Sequence, residues 1–248
     1  VANAQQLVIV VAAANPEPRT GFIDRAVVAA FDAGIEPILC ITKTDVRYPQ
    51  NLLDYYAASG LKIVLSSSSD GLAPSQEGAA GLESAPVQEL LQELLGQVSV
   101  LLGHSGVGKS TLVNALTGSE RATGHVNAVT GRGRHTSSSA LALRPVNANG
   151  EPMEPGTWII DTPGIRSFGL AHVPPETVVE AFVDLAPGAA DCPKACTHAA
   201  QAPECGLEAY VAAGHAGESG PARLESLRKL LLLTPEEGDS EKELGALV

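Results

Sequence analysis

A glycine-rich segment midway along the chain has the composition of a phosphate-binding loop. Residues 103–110 fit the pattern G-x-x-x-x-G-K-[ST], directly after a predicted strand and at the start of a predicted helix. In such a loop the backbone N–H groups surround phosphates, and the helix N-terminus adds a favourable dipole. Lys109 is then placed to reach the β- and γ-phosphates, and the Ser110 hydroxyl to bind Mg²⁺. The predicted nucleotide contacts here are Gly103, His104, Ser105, Gly106, Val107, Gly108, Lys109, Ser110 and Thr111.

Two further segments could complete a magnesium site. The run Asp161-Thr162-Pro163-Gly164 follows an apolar strand, and a D-x-x-G motif there supplies a carboxylate near Mg²⁺ and a glycine N–H that senses the γ-phosphate. Between the two motifs lies a loop rich in hydroxyls, residues 131–139. We expect Thr136 of this loop to bind Mg²⁺, with Ser137 and Ser138 as open alternatives.

The motif Thr42-Lys43-Thr44-Asp45 follows another predicted strand and resembles the N-K-x-D motif of GTPases. There the aspartate accepts hydrogen bonds from the ring N–H and exocyclic amine of guanine, a pattern that adenine does not offer. Thr42 stands where Asn is usual, and we expect its hydroxyl to replace part of the Asn hydrogen bonding. Ser66-Ser67, after the next strand, resembles the S-A loop whose backbone N–H meets the guanine carbonyl.

A cluster of metal-binding residues lies in the C-terminal third. Cys192, Cys196, His198 and Cys205 provide three thiolates and one imidazole within a short stretch. Tetrahedral Zn²⁺ suits this set, and four protein ligands leave no open position, which indicates a structural site worth on the order of 10 kcal/mol to folding. His215 is a competing imidazole. Buried free cysteines beside a surface histidine remain the alternative.

Apolar runs alternate with helical periodicity over most of the chain, which predicts an α/β fold with a mostly parallel sheet. We expect a domain at 1–170, a small helical zinc-binding domain at 171–235 and a disordered acidic tail at 236–248. The segment 121–144 reads as a loop. Strands are expected at 7–13, 35–41, 61–66, 97–102 and 158–161, and helices at 23–33, 51–59, 87–95, 109–116 and 221–233.

Composition limits the classes of function. Hydrophobic residues make up 44% of the 248 residues, and no apolar run is long enough to cross a bilayer. The formal net charge of -12 argues against coating nucleic acid by charge alone. Arg223, Arg228 and Lys229 on the last predicted helix form either an RNA contact or a solvated face.

The order of the motifs is unusual, because the base-reading motif precedes the phosphate loop. With G-H-S-G-V-G-K-S-T, the R-H-T-S-S-S segment and the trailing Cys/His cluster, this order resembles the RsgA (YjeQ) family of ribosome small-subunit-dependent GTPases. The resemblance implies a P-loop GTPase with a circularly permuted parallel-sheet domain and a small C-terminal zinc-binding helical domain. Family members carry an OB-fold ahead of this region. We expect either a trimmed sequence or a shortened relative.

The resemblance also implies a function: a cytoplasmic, monomeric factor, without membrane contact, that uses GTP/GDP, Mg²⁺ and one structural Zn²⁺. Its partners would be the small (30S) ribosomal subunit and its rRNA, and GTP hydrolysis would be stimulated there. Ile165 occupies the position where many GTPases orient water with Gln. His135 is the implied catalytic substitute, although a solvated loop histidine is equally compatible. Two alternatives are a nucleotide-sensing module with negligible hydrolysis and a permuted GTPase of the large subunit, against which the zinc cluster argues.

Overall fold

The computed structural model describes residues 3–67, 85–119, 140–147, 149–163 and 169–233. Along these segments strands and helices mostly alternate as far as Asp161, and the regular elements after Asp161 are all helical. The strands are β1 Gln6–Ala12, β2 Glu36–Thr42, β3 Lys62–Leu65, β4 Val98–Gly103, β5 Leu141–Leu143 and β6 Trp158–Asp161. The helices are α1 Thr20–Asp32, α2 Gln50–Tyr56, α3 Ala85–Leu94, α4 Lys109–Thr117, α5 Pro175–Ala181, α6 Gly206–Ala212 and α7 Gly220–Leu231, with a 3₁₀ turn at Ala186–Asp191.

The six strands form one sheet in the order β3-β2-β1-β4-β6-β5. Every neighbouring pair is parallel except β5 with β6. The prediction of a mostly parallel α/β sheet is therefore confirmed. The loop expected over 121–144 is wrong at its end, because Leu141–Leu143 pairs with β6 as an edge strand. Three residues are too few to show a periodicity in the sequence.

The central strands are continuous apolar runs because they are buried on both faces, as in other parallel sheets. Ile9, Leu39 and Leu101 are fully enclosed. Helices α3 and α4 pack on the same core, and α3 contributes residues at helical spacing. These α3 residues are Val87, Leu90, Leu91 and Leu94.

The described residues fall into two compact units. The first lies within Val1–Arg19, Gly34–Pro49 and Lys62–Ser167 and contains the whole sheet with α3 and α4. The second lies within Thr20–Ala33, Gln50–Leu61 and Phe168–Val248 and contains α1, α2 and the C-terminal helices. Two of its segments come from before residue 170, and the predicted division at 170 stays a proposal. The tail at 236–248 lies outside the described residues.

The second unit is built around a buried arginine. Arg223 of α7 donates from Nε and Nη2 to Asp184, at 2.8 and 2.9 Å, and from Nη1 to Asp24 of α1 at 2.6 Å. Its guanidinium also lies 4.4 Å from the ring centroid of Phe182. The Ser226 hydroxyl donates to Asp24 at 2.5 Å. Burial opposes the charge, but the two carboxylates outweigh it and raise the pKa of Arg223 above its usual range.

This arrangement corrects the expectation that Arg223 belongs to a solvated or RNA-binding face. The side chain of Arg223 is only 3% exposed. Asp24 lies 199 residues earlier in the sequence, so no local pattern could reveal the pair. Arg228 is also largely enclosed, whereas Lys229 is exposed and pairs with Glu225.

Within the described part of the chain, no helix has the length and apolarity needed to cross a membrane.

Candidate functional site

The predicted nucleotide motifs converge on one edge of the sheet. Thr42 ends β2, Ser66 follows β3, the phosphate loop follows β4 and Asp161 ends β6. These four strands belong to the parallel part of one sheet, with β1 between β2 and β4. The carboxyl ends of parallel strands share an edge, and ligands of open α/β sheets bind outside it. The topology thus brings together motifs that the sequence spreads from Thr42 to Asp161, nearly half of the chain.

The phosphate loop requires its glycines. A Cβ on Gly103 would lie 2.5 Å from the Val10 carbonyl oxygen, so only glycine fits beside β1. Gly106 and Gly108 have left-handed backbones, with φ of 85° and 94°. Gly108 is the N-cap of α4, which begins at Lys109. The N–H groups of the first turn of α4 have no partners within the helix, which makes this end suited to an anion.

Lys109 and Asp161 form a buried ion pair that joins the phosphate loop to the D-x-x-G motif. Their side chains are 9% and 2% exposed. The Lys109 ammonium contacts the Asp161 carboxylate and donates to the Thr162 carbonyl. Thr162 is held in turn, because its hydroxyl donates to the Leu101 carbonyl at 2.6 Å. The cation predicted to reach phosphate and the carboxylate predicted beside Mg²⁺ are therefore adjacent.

The base-reading motif braces the phosphate loop directly. The Thr42 hydroxyl is buried between the carbonyls of Val107 and Val11, the latter at 3.2 Å. Lys43 donates from Nζ to the Gly106 carbonyl at 2.8 Å and to the Asn15 carbonyl. Burial lowers the pKa of Lys43, partly opposed by Asp45. The Thr42 hydroxyl thus serves two backbone carbonyls, and the predicted contact of Thr42 with the base stays a prediction.

The Ser66-Ser67 loop adjoins this motif. The Thr44 N–H and hydroxyl both donate to the Ser66 carbonyl at 3.1 Å, and the Ser66 N–H donates to the Ile41 carbonyl at 2.8 Å. The Ser66 hydroxyl is buried and has no hydrogen-bond partner within the described segments. Such a group costs about 1–3 kcal/mol unless a bound molecule satisfies it. An unsatisfied hydroxyl beside the base-reading motif fits a polar ligand at this position.

Several predicted residues lie outside the described segments. These are Thr136 with its alternatives Ser137 and Ser138, His135, Gly164 and Ile165. Their roles stay predictions. His104 is described, and burial together with Arg19 lowers its pKa, which favours the neutral imidazole near neutral pH. Ser110 is half-buried in the first turn of α4, in the place expected for the hydroxyl that binds Mg²⁺.

The four predicted zinc ligands come together in the second unit. The ligand atoms of Cys192, Cys196, His198 and Cys205 all lie within 4.8 Å of one another. His198 Nδ1 is 3.6 Å from Cys192 Sγ and 3.8 Å from Cys205 Sγ. A tetrahedral zinc site has such edges at roughly 3.6–3.8 Å, so the ligand set fits Zn²⁺. His215 lies instead against Tyr210, with ring centroids 5.0 Å apart.

Local backbone geometry holds this cluster. Cys205 is the N-cap of α6, and the Gly206 N–H donates to Cys192 Sγ at 3.2 Å. A Cβ on Gly206 would lie 2.4 Å from the Gly188 carbonyl oxygen. His198 has a left-handed backbone, with φ of 54°. Burial lowers the pKa of His198, helped by Arg228, and this favours the neutral imidazole that binds metal.

Comparison with known proteins agrees with this geometry. The sequence profile of the RsgA GTPase family matches residues 1–171. The small ribosomal subunit biogenesis GTPase RsgA of Pseudomonas aeruginosa (strain LESB58) is 36% identical over 243 residues, which cover 95% of this chain and 64% of the relative. RsgA of Azotobacter vinelandii is 37% identical, covering 95% of this chain and 63% of the relative. The chain therefore spans a little under two thirds of the length of these curated relatives.

Two solved structures have the same architecture. YjeQ from Thermotoga maritima superposes with a TM-score of 0.62 at 26% identity, covering 93% of this chain and 73% of that one. YloQ, described as a circularly permuted GTPase, gives 0.62 at 22% identity, covering 94% and 70%. The fold class, with its permuted motif order and its C-terminal cluster able to bind zinc, is thus confirmed. With a profile match over more than half of its length, the chain belongs to the RsgA GTPase family.

Proposed function

We propose that this chain binds GTP and hydrolyses it to GDP and phosphate in the site at the carboxyl edge of the sheet. The observation that carries the proposal is the bracing of the phosphate loop by Thr42 and Lys43 of the base-reading motif. A loop that only bound phosphate would not need to be joined to a second motif beside it. These contacts support a site in which the base-reading motif and the phosphate loop bind one nucleotide together.

Each residue has a distinct task in this proposal. The phosphate-loop N–H groups and the Lys109 ammonium hold the phosphates, and Asp45 reads the guanine edge. Ser110 and Asp161 would hold Mg²⁺, with Thr136 as the proposed third contributor. The ion would neutralise charge that develops on the phosphates. Lys109 neutralises Asp161 before the nucleotide enters, and in the complex Mg²⁺ would neutralise Asp161 while Lys109 holds the phosphates.

Hydrolysis requires a group that orients water. Ile165 follows the D-x-x-G motif, and its hydrocarbon side chain cannot polarise water. We therefore propose slow intrinsic turnover that a partner accelerates, with His135 as the candidate catalytic residue. Ile165 also motivates the second candidate function, a nucleotide sensor with negligible hydrolysis.

The proposed partner is the small ribosomal subunit with its rRNA, on the basis of the name that the relatives carry: small ribosomal subunit biogenesis GTPase. In this proposal the chain acts in the cytoplasm as a monomer during late maturation of the 30S subunit. One Zn²⁺, held by the four ligands of the second unit, stabilises that unit without taking part in the reaction.

Base specificity is tested by Asp45→Asn. The change removes an acceptor for the guanine amine and should favour xanthine nucleotides over GTP. The measurement is the affinity of both nucleotides for the purified chain. Asp54→Asn, an exposed residue of α2, is the matched control and should bind GTP as the unmodified chain does. Unchanged GTP affinity in Asp45→Asn would remove the base-reading assignment.

The partner is tested by measuring GTP turnover with and without purified small subunits, using ATP and large subunits as controls. The proposed function is supported if small subunits, but not large ones, stimulate the turnover of GTP and not that of ATP. Negligible turnover with subunits present, while GTP still binds, favours the nucleotide sensor. Stimulation by large subunits instead would point to the other class of ribosomal GTPase.

A further inference from the structure

Arg228 connects the two chain segments that bring His198 and Cys205 to the zinc cluster. Its Nε donates to the His198 carbonyl oxygen at 2.9 Å, and its Nη2 contacts the Glu208 carboxylate. Glu208 lies in the first turn of α6, and Cys205 is the N-cap of that helix. One guanidinium on α7 thus contacts the backbone of one ligand and the helix that begins at another. The Arg228 side chain is 19% exposed, so solvent reaches only part of it.

The contact with His198 comes at a strained point of the chain. His198 has φ of 54°, a left-handed conformation that is unfavourable for residues other than glycine. Such a backbone persists where the surrounding structure fixes it. Among the described residues, Arg228 is the side chain that donates to the His198 carbonyl. The hydrogen bond from Arg228 on α7 therefore orients the peptide plane that follows His198.

The positive charge of Arg228 also favours a metal-loaded cluster. Zn²⁺ with three thiolates and a neutral imidazole carries one net negative charge. Glu208 is 62% exposed, so solvent screens most of its charge, while Arg228 is largely enclosed beside the cluster. The guanidinium of Arg228 therefore offsets the net charge of the loaded site.

We propose that Arg228 is a positioning residue of the zinc site, which holds the His198 backbone and favours retention of the metal. The proposal rests on zinc binding by the four ligands. Residues that orient metal ligands without touching the ion typically change metal affinity 10–100-fold when they are lost. Arg228→Met keeps the aliphatic stem and removes both the donors and the charge, so zinc should leave this variant at least about 10-fold faster.

The test is the rate of zinc transfer to a chromogenic chelator from the full chain, after the zinc content has been measured. Arg228→Met should lose zinc fastest, while Arg228→Lys, which keeps the charge but lacks the planar guanidinium, should lie between it and the unmodified chain. Lys229→Met is the matched control, since Lys229 is the next residue of α7 and is 69% exposed. Its release rate should not change. With Co²⁺ in place of zinc, Arg228→Met should also alter the visible bands of the tetrahedral ion, which a change in helix stability alone would not do.

Equal release from Arg228→Met and the unmodified chain would overturn the proposal, as would equal acceleration by Lys229→Met. An unmodified chain that binds no zinc would overturn the metal site and this role together. GTP affinity of the same variants keeps the proposed function separate. It should be unchanged in Arg228→Met, and a chain that retains zinc but binds no GTP would contradict the nucleotide proposal alone.

Discussion

At the scale of single residues, the polar side chains of the proposed nucleotide site already make hydrogen bonds and ion pairs within the protein. Lys109 neutralises Asp161, Lys43 donates to the phosphate loop, and the Thr42 hydroxyl lies between two backbone carbonyls. Each substitution in this site therefore has a cost in stability as well as in binding. The two costs can be separated by pairing each change with a partner change or a conservative one.

Lys109→Met should abolish tight GTP binding and also destabilise the fold by about 3 kcal/mol, because the Asp161 carboxylate would stay buried without its cation. The double variant Lys109→Met with Asp161→Asn removes the uncompensated charge, and stability should return while binding does not. Urea denaturation and nucleotide titration measure the two effects. If Lys109→Met bound GTP normally, Lys109 would not be the phosphate ligand.

Thr42→Val keeps the shape of the side chain and removes its hydroxyl. The Val107 carbonyl then loses a buried donor, and we expect a loss of about 1–3 kcal/mol in unfolding free energy together with weaker nucleotide binding. Thr42→Ser retains the donor and should lie close to the unmodified chain. Comparable stability of the Val and Ser variants would show that the brace between the two motifs is not important.

At the scale of elements, the close approach of β1 to β4 sets which residue can begin the phosphate loop. β4 lies beside β1, with Val10 opposite Gly103 in the register. The loop thus leaves the sheet at a point where the neighbouring strand allows no Cβ. The close approach, rather than the flexibility of glycine, sets the residue type at position 103.

Gly103→Ala should distort the start of the loop, because its Cβ would meet the Val10 carbonyl oxygen at 2.5 Å. We expect about 1–3 kcal/mol of destabilisation and at least about 10-fold weaker GTP binding. Gly21→Ala in α1 is the matched control, since no atom lies within 4 Å of the added Cβ. That helical substitution should be neutral or stabilise by up to about 1 kcal/mol, as thermal unfolding would show. An equal effect of both changes would contradict the argument.

At the scale of the whole molecule, the second unit is assembled from distant parts of the chain. Its core joins Val28 of α1 to the apolar residues of α5 and α7. Arg223 reinforces the junction by binding Asp24 and Asp184 at once. A buried ion pair of this kind adds little net stability by itself, but removal of one partner leaves a buried charge that neither an ion pair nor water compensates.

Arg223→Met should therefore destabilise the second unit by about 3–5 kcal/mol, since two buried carboxylates lose their cation together. The Lys229→Met variant removes an exposed cation from the same helix and should change unfolding free energy by less than about 0.5 kcal/mol. Chemical denaturation followed by circular dichroism compares them. If Arg223→Met lowered the unfolding free energy no more than Lys229→Met does, the two aspartates would not depend on Arg223 for their stability in the core.

The amino-acid sequence by itself indicated five of the six strands, the motifs and the four residues of the Cys/His cluster, since each depends on local pattern: apolar runs, glycine spacing and a group of cysteines. It could not identify the short strand β5, which has too few residues to show a period. Tertiary structure alone decided which hydrogen-bond partners the polar side chains have. It turned the Thr42 hydroxyl toward the phosphate loop, and it enclosed Arg223 between two carboxylates, one of which, Asp24, lies 199 residues away along the chain. The physical reason is that burial and charge pairing are properties of neighbours in space, and a linear pattern records only neighbours along the chain.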